Sequence, residues 1–166
     1  MIIRPLQKDD VKVGFSCGEP DLDTYFAKRA WPHLRDGIAA VFVLEDPATP
    51  GKIAGYYTLS AKSVGAGLLT AVLAKSLPTF PLPVTYIGCF AVAKEHQGLG
   101  YGVTLMGNAL ERCLVAAEQV GSVGVFLDSL NARSTTFYRK LGFTEIPPIV
   151  ANHQQMFLPM ATLRHA

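Results

Sequence analysis

Gln97-Gly98-Leu99-Gly100-Tyr101-Gly102 decides the fold, because of what stands on either side of it. Upstream, Val84-Thr85-Tyr86-Ile87-Gly88-Cys89-Phe90-Ala91-Val92 is dense in β-branched and aromatic residues and predicts a buried strand. Downstream, Leu105/Met106, Ala109/Leu110, Cys113/Leu114 and Ala117 recur at helical spacing and give one apolar face. A strand that feeds a glycine-rich turn at a helix start leaves several backbone N–H groups unpaired and aimed one way. With the positive end of the helix dipole they make a site for a phosphate or pyrophosphate. The stretch lacks the lysine and Ser or Thr that complete a P-loop, and Val103 stands where a dinucleotide fingerprint needs its third glycine. The plain alternative is a tight turn that binds nothing.

A second segment repeats the pattern of strand, cap and helix. Val123 to Asp128 predicts a strand, and Asn131-Ala132-Arg133-Ser134-Thr135-Thr136-Phe137-Tyr138-Arg139-Lys140-Leu141-Gly142-Phe143 follows it. Asn131 is a capping residue, Phe137 and Leu141 lie four apart on one face, and Gly142 suits a left-handed helix end.

Other segments fit one domain over residues 1–166. Ile2 to Leu6 predicts a first strand; Pro20 with Glu19, Asp21 and Asp23 predicts a helix start, with Leu22, Tyr25 and Phe26 as its apolar stripe. Ile38 to Leu44 and Ile53 to Leu59 read as strands joined by the turn-forming run from Asp46 to Gly51. Leu68 to Leu77 reads as a short helix, Pro78 to Pro83 as a stiff connector, and Gln155 to Thr162 as a last strand. Strands outnumber helices in mixed order, so the fold class is α/β with antiparallel and parallel pairs. Cys17, Cys89 and Cys113 are an odd number without metal-ligand spacing, so no metal is expected and packing in a reducing compartment explains them. The amino terminus is too short and polar for a signal peptide and no apolar run reaches membrane-spanning length, so the expectation is a cytoplasmic protein.

Gln97, Gly100 and Gly102 at their spacing, with Asn131, the aromatic–Tyr pair Phe137-Tyr138 and Gly142-Phe143, resemble the two motifs of the GNAT acetyltransferases. The resemblance implies a mostly antiparallel central sheet flanked by helices, its strands splayed at an acetyl-CoA site. It implies that Gln97, Gly98, Leu99, Gly100, Tyr101 and Gly102 clasp the pyrophosphate of acetyl-CoA, with Asn131 also on the coenzyme. Phe90, Ala91 and Val92 would pair with the pantetheine through their backbone. Tyr138 takes the general-acid position, reprotonating the coenzyme A thiolate, a role for which a phenol is suited because it is protonated at neutral pH. A packed aromatic without chemistry is the alternative for Tyr138.

Phe15-Ser16-Cys17-Gly18-Glu19-Pro20-Asp21-Leu22-Asp23, then Tyr25-Phe26 and Ala30, together with Gly55 to Ser60 and Pro78, Pro81 and Pro83, resemble the toxin branch of that family. That resemblance implies acetylation of the amino group of aminoacyl-tRNA, a ribbon-helix-helix antitoxin and a homodimer. Cys89 departs from the branch, standing where many such toxins carry arginine. A net charge of only +2 is far from that of a dedicated nucleic-acid binder. Lys28, Arg29 and Arg35, read as sharing the first helix, are the candidates for tRNA phosphates, and Lys62 and Lys75 are placed beside a cleft. No His or Glu stands at a motif position that names the base. His96 reads as a solvent-facing loop histidine, and a water relay or the low amine pKa of an aminoacyl ester serves instead. Cys17 and Cys89 have no histidine partner for a covalent route. A general acetyltransferase for a small amine or a protein amino group, and a non-catalytic acyl-CoA-binding domain, remain the alternatives. The sequence does not name the amino acid on the tRNA.

Overall fold

Pro20, whose ring fixes φ and whose missing N–H costs nothing in a first turn, starts the first helix of this computed structural model, which describes residues 1–73 and 77–166. Seven strands lie in one sheet in the order β1-β2-β3-β4-β5-β7-β6, with helices flanking it. The chain divides into two units: residues 1–60 with 87–111, and residues 61–86 with 112–166.

In the first unit, β1 (Ile3–Pro5) pairs antiparallel with β2 (Ala40–Glu45), Ile3 opposite Leu44. β2 pairs antiparallel with the start of β3 (Ile53–Val64), Phe42 opposite Tyr57. Asp46 closes the connecting turn: its carboxylate accepts from the Ala48 N–H at 2.9 Å, and its own N–H donates to Lys52 O at 2.8 Å. α1 (Pro20–Lys28) and α2 (Ala30–Arg35) bring Phe26 and Ala30 into a core with Val41, Val43, Ile53 and Tyr56. The Phe26 and Tyr56 rings stack at 4.4 Å, and the Tyr56 hydroxyl donates to Leu22 O at 2.7 Å. The expected stripe of Leu22, Tyr25 and Phe26 is what packs there.

The first helix does not carry Lys28, Arg29 and Arg35 together, as the sequence reading expected. α1 stops at Lys28, Arg29 joins the two helices at φ −116°, and Arg35 ends α2. Pro32 is the reason: an unbroken helix would set its ring against the Lys28 carbonyl with no N–H to offer it.

β4 (Leu82–Val92) leads through a short 3-10 turn, Lys94–His96, into α4 (Tyr101–Ala117). Leu105, Met106 and Ala109 are buried on the expected face of α4, and Asn108 accepts from the Tyr57 hydroxyl at 2.6 Å.

In the second unit, β5 (Gly124–Ser129) runs antiparallel to β7 (Gln154–Pro159), with β6 (Thr144–Glu145) on the far side of β7. α3 (Ala66–Leu73), α5 (Ala132–Lys140) and α6 (Met160–Arg164) complete it. Val64, Leu69, Leu82, Val84, Phe126, Ile146 and Phe157 form its core. Gly124 admits no side chain: a Cβ there would stand 2.3 Å from the Phe157 ring and 2.4 Å from Leu158 O. The expected helix from Leu68 to Leu77 begins earlier, at Ala66, and its stretch 74–76 lies outside the described residues. The last strand stops at Pro159, short of the expected Thr162, because Pro159 caps α6 and the Met160 N–H turns to Val123 O at 2.9 Å. Among the described residues, no helix is long and apolar enough to cross a membrane.

Candidate active site

Gly98 and Gly100 hold φ +77° and +85°, a conformation that a side chain disfavours, and this lets the chain turn from β4 into α4 within a few residues. A Cβ built on either would meet no atom within 4 Å, so the space before the turn is open. Leu99 and Val103 point into solvent, leaving the first N–H groups of α4 without side-chain cover. An exposed turn at the N-terminus of a 17-residue helix offers that helix's first N–H groups to an anion.

Gln97 faces the other way. Its amide Nε2 donates to Cys17 O and to Val92 O, each at 2.8 Å, so it holds the turn to the end of β4 and to the loop before α1. The Lys94 N–H donates to Ser16 O at 2.8 Å, and Asp23 accepts from the Cys17 N–H at 2.8 Å. The Phe15–Asp23 signature is thus the strap behind the turn. Of the proposed pantetheine groups, Ala91 is buried, Phe90 and Val92 are partly exposed, and the Val92 carbonyl is engaged by Gln97.

His96 does not face solvent, as the sequence reading expected. It is buried, its ring stacks on Tyr101 at 5.0 Å, and its Nε2 lies 3.5 Å from Asp46 Oδ2. Lys52 continues this contact to Glu95 at 3.0 Å. The Ala48 N–H, with lesser help from His96 and Lys52, holds the Asp46 carboxyl below the usual carboxylate range. The cysteines offer no nucleophile: burial pushes the Cys17 and Cys113 thiols up to about 12, and the Cys89 thiol is raised by burial too.

In the second unit, Asn131 caps α5. Its side chain accepts from the Ser134 N–H at 2.9 Å while Ser134 Oγ receives the Asn131 N–H at 3.2 Å, a reciprocal pair of the capping-box kind. The cap engages Asn131 Oδ1. Tyr138 lies in the last turn of α5, only 7% exposed, edge-on to Phe137 at 5.4 Å and to Phe143 at 5.9 Å. Its carbonyl accepts from both Leu141 and Phe143 N–H groups, which fixes the helix end that carries it.

Lys28, Arg29 and Arg35 are all exposed, and Arg35 is paired with Asp36 at 2.9 Å. Lys62 Nζ rests 4.4 Å above the Tyr86 ring, and Lys75 lies outside the described residues. The Tyr86 hydroxyl donates to Asp128 Oδ2 at 2.9 Å, a pair that sequence reasoning missed because its members are 42 positions apart. Among the described residues no group of His, Cys, Asp and Glu is arranged to hold a metal ion.

The model of the acetyltransferase (GNAT) family matches residues 6–143. A Mycobacterium tuberculosis protein named tRNA-acetylating toxin is 32% identical over 150 residues, covering 90% of this chain and 87% of its own. The solved structure of AtaT complexed with acetyl-methionyl-tRNAfMet superposes with a TM-score of 0.86 at 27% identity, covering 99% of this chain and 97% of that one. An AtaT variant bound to the C-terminus of the antitoxin AtaR and acetyl-CoA superposes with a TM-score of 0.79 at 27% identity, covering 99% and 96%. With the glycine turn at the head of α4 and a family match over most of its length, this chain belongs to the GNAT acetyltransferases.

Proposed function

We propose that this protein is an acetyl-CoA-dependent N-acetyltransferase that acetylates the amino group of aminoacyl-tRNA and thereby blocks translation, a toxin silenced by a ribbon-helix-helix antitoxin. The observation that carries the reading is the open turn at Gly98 and Gly100, strapped from behind by the Phe15–Asp23 loop through Gln97. It joins the coenzyme cradle to the segment by which the chain resembles the toxin branch. The similarity to a tRNA-acetylating toxin and to AtaT with its acetylated tRNA supports the choice of acceptor. The complex of AtaT with AtaR and acetyl-CoA supports the donor and the antitoxin. The reading takes residues 1–166 as one N-acetyltransferase domain, working in the cytoplasm where charged tRNA is found, as a homodimer.

Transfer is direct. The backbone N–H groups from Gly98 to Gly102 hold the pyrophosphate, and groups of Phe90, Ala91 and Val92 hold the pantetheine. The acceptor's amine attacks the thioester carbonyl carbon, the C–N bond forms and the C–S bond breaks. Tyr138 gives its hydroxyl proton to the departing thiolate. Holding both substrates in line supplies much of the rate, and an amide N–H at the tetrahedral oxyanion adds electrostatic stabilisation. Lys28, Arg29 and Arg35 meet tRNA phosphates, from the junction and end of two short helices. Expression of the protein alone, with growth and tRNA acetylation measured together, tests the reading. Growth arrest with acetylated aminoacyl-tRNA supports it; turnover only on polyamines or peptides overturns it.

A further inference from the structure

Two rings meet across the base of the glycine turn. His96 is the last residue of the 3-10 turn after β4 and Tyr101 is the first residue of α4, so the pair brackets Gln97, Gly98, Leu99 and Gly100. Their rings stack with centroids 5.0 Å apart and planes 26° from parallel. The chain leaves one ring, makes the turn and comes back to the other.

His96 is the fixed member of the pair. It is buried, its N–H donates to Ala93 O at 2.9 Å, and the Ala93 N–H donates to Ala54 O of β3 at 2.8 Å. Its Nε2 lies 3.5 Å from Asp46 Oδ2, a buried carboxylate of the β2–β3 turn. Lys52 Nζ stands 4.0 Å from the same oxygen and 3.0 Å from Glu95. His96 Nδ1 is sealed from solvent and has no hydrogen-bond partner among the described residues. A buried nitrogen left in that state costs stability. What the imidazole gains in return is the face of Tyr101 and a carboxylate that sets its tilt.

The turn between the rings is built from residues with freedom to lose. Gly98 and Gly100 hold positive φ, a Cβ on either would meet nothing within 4 Å, and Leu99 is exposed. Glycine gives up more backbone freedom on ordering than any other residue. Whatever freedom the turn keeps must be given up when an anion settles on its N–H groups. The Gln97 amide anchors the start of the turn, and the ring pair ties its end back to the same base.

We propose that the His96–Tyr101 stack, set by Asp46, is a clasp that pre-organises the glycine turn, which makes His96 a positioning residue for acetyl-CoA affinity. The inference rests on the pyrophosphate role given above to this turn. His96 acts through Tyr101 and the peptide between them, and no chemical step passes through the imidazole.

The test compares the parent with His96→Ala, Tyr101→Ala, the double variant and His96→Phe, with melting temperatures recorded for all. In calorimetric titration each single alanine variant should bind acetyl-CoA roughly five- to thirtyfold more weakly, the effect of one backbone residue left for the ligand to order. The double variant should bind no more weakly than the weaker single one, because the same contact is lost once. His96→Phe keeps a ring on Tyr101 and should bind within about threefold of the parent. With aminoacyl-tRNA as acceptor, KM for acetyl-CoA should rise with the dissociation constant while kcat at saturation stays at the parent value. In nitrogen-15 relaxation of the ligand-free protein, order parameters at residues 98–100 should fall in the alanine variants and recover in His96→Phe. A role in stability alone would lower the melting temperature and leave affinity at the parent value. Additive losses, an equal loss in His96→Phe and His96→Ala, or a matching fall in kcat at saturation each overturn the clasp. If His96→Ala does not fold, Tyr101→Ala and His96→Phe carry the decision. Parent-level affinity with a loosened turn ends the pyrophosphate role of the turn, whereas a turn no looser than the parent's ends the clasp itself. A parent without turnover on aminoacyl-tRNA ends the toxin reading, and binding and relaxation still decide this one.

Discussion

Replacing Gly100 by aspartate, with alanine at the same position as its control, separates strain from charge at the phosphate turn. Gly100 sits at φ +85°, and a Cβ there would touch nothing within 4 Å. Alanine therefore costs backbone strain alone, about 1–2 kcal/mol of stability. At about 2–4 °C per kcal/mol for a chain of this size, its melting temperature should fall by about 2–8 °C. Aspartate tolerates the left-handed region better than most residues, so its strain is no larger. What aspartate adds is a negative charge facing the pyrophosphate. At about 6 Å the repulsion is about 0.7 kcal/mol in a water-like dielectric and about 2.8 kcal/mol at an effective value of 20. Those limits span roughly threefold to hundredfold in affinity, with tenfold at about 1.4 kcal/mol. Calorimetric titration with acetyl-CoA should show Gly100→Asp binding about tenfold more weakly than Gly100→Ala, with the gap closing as salt rises. Equal affinity of the two folded variants would refute the phosphate assignment, whatever either does to stability.

Tyr138→Phe should keep acetyl-CoA affinity and lose roughly 10²–10⁴-fold in turnover, because the phenol ring packs as before and only the proton is missing; turnover at the parent rate would show that the hydroxyl only packs. Gln97→Leu removes two hydrogen bonds and strands the carbonyls of Cys17 and Val92, a loss of about 1–3 kcal/mol. Thermal melting should shift down by about 2–12 °C, and acetyl-CoA should bind more weakly through a loosened turn; an unshifted melting curve would mean that the amide does not hold the strap. Joint replacement of Lys28, Arg29 and Arg35 by alanine should weaken tRNA binding and flatten its salt dependence while sparing acetyl-CoA affinity. Filter binding across salt concentrations checks this, and an unchanged slope would remove those residues from the interface.

Legibility in the sequence followed the range of the interactions that decide each feature. The turn into α4, the Asn131 cap and the β2–β3 hairpin are settled within a few residues, and their signals stood in the chain. The break between α1 and α2 was local as well. Pro32 marks it, between the basic residues at 28 and 29 and the one at 35. His96 is a different case: its polarity argues for solvent, whereas its burial depends on Asp46, fifty positions earlier, and on the ring of Tyr101. Nothing near His96 in the chain announces a carboxylate brought up by a hairpin turn.

The same distinction explains what a motif specifies. The spacing of Gln97, Gly100 and Gly102 marks which peptide segment makes the turn, because backbone N–H groups and positive φ are properties of the segment itself. It does not say what the Gln97 side chain does, since that depends on Cys17 O, 80 positions away. The positive-φ turn is a backbone feature and is therefore written locally. Side-chain pairs assembled across strands, such as Tyr86 with Asp128, are not. Cys89, whose N–H donates to the Thr58 hydroxyl at 3.0 Å and whose thiol is raised by burial, is likewise placed by a partner far from it in the chain. Two chains with the same glycine turn can thus differ wherever side chains meet across strands.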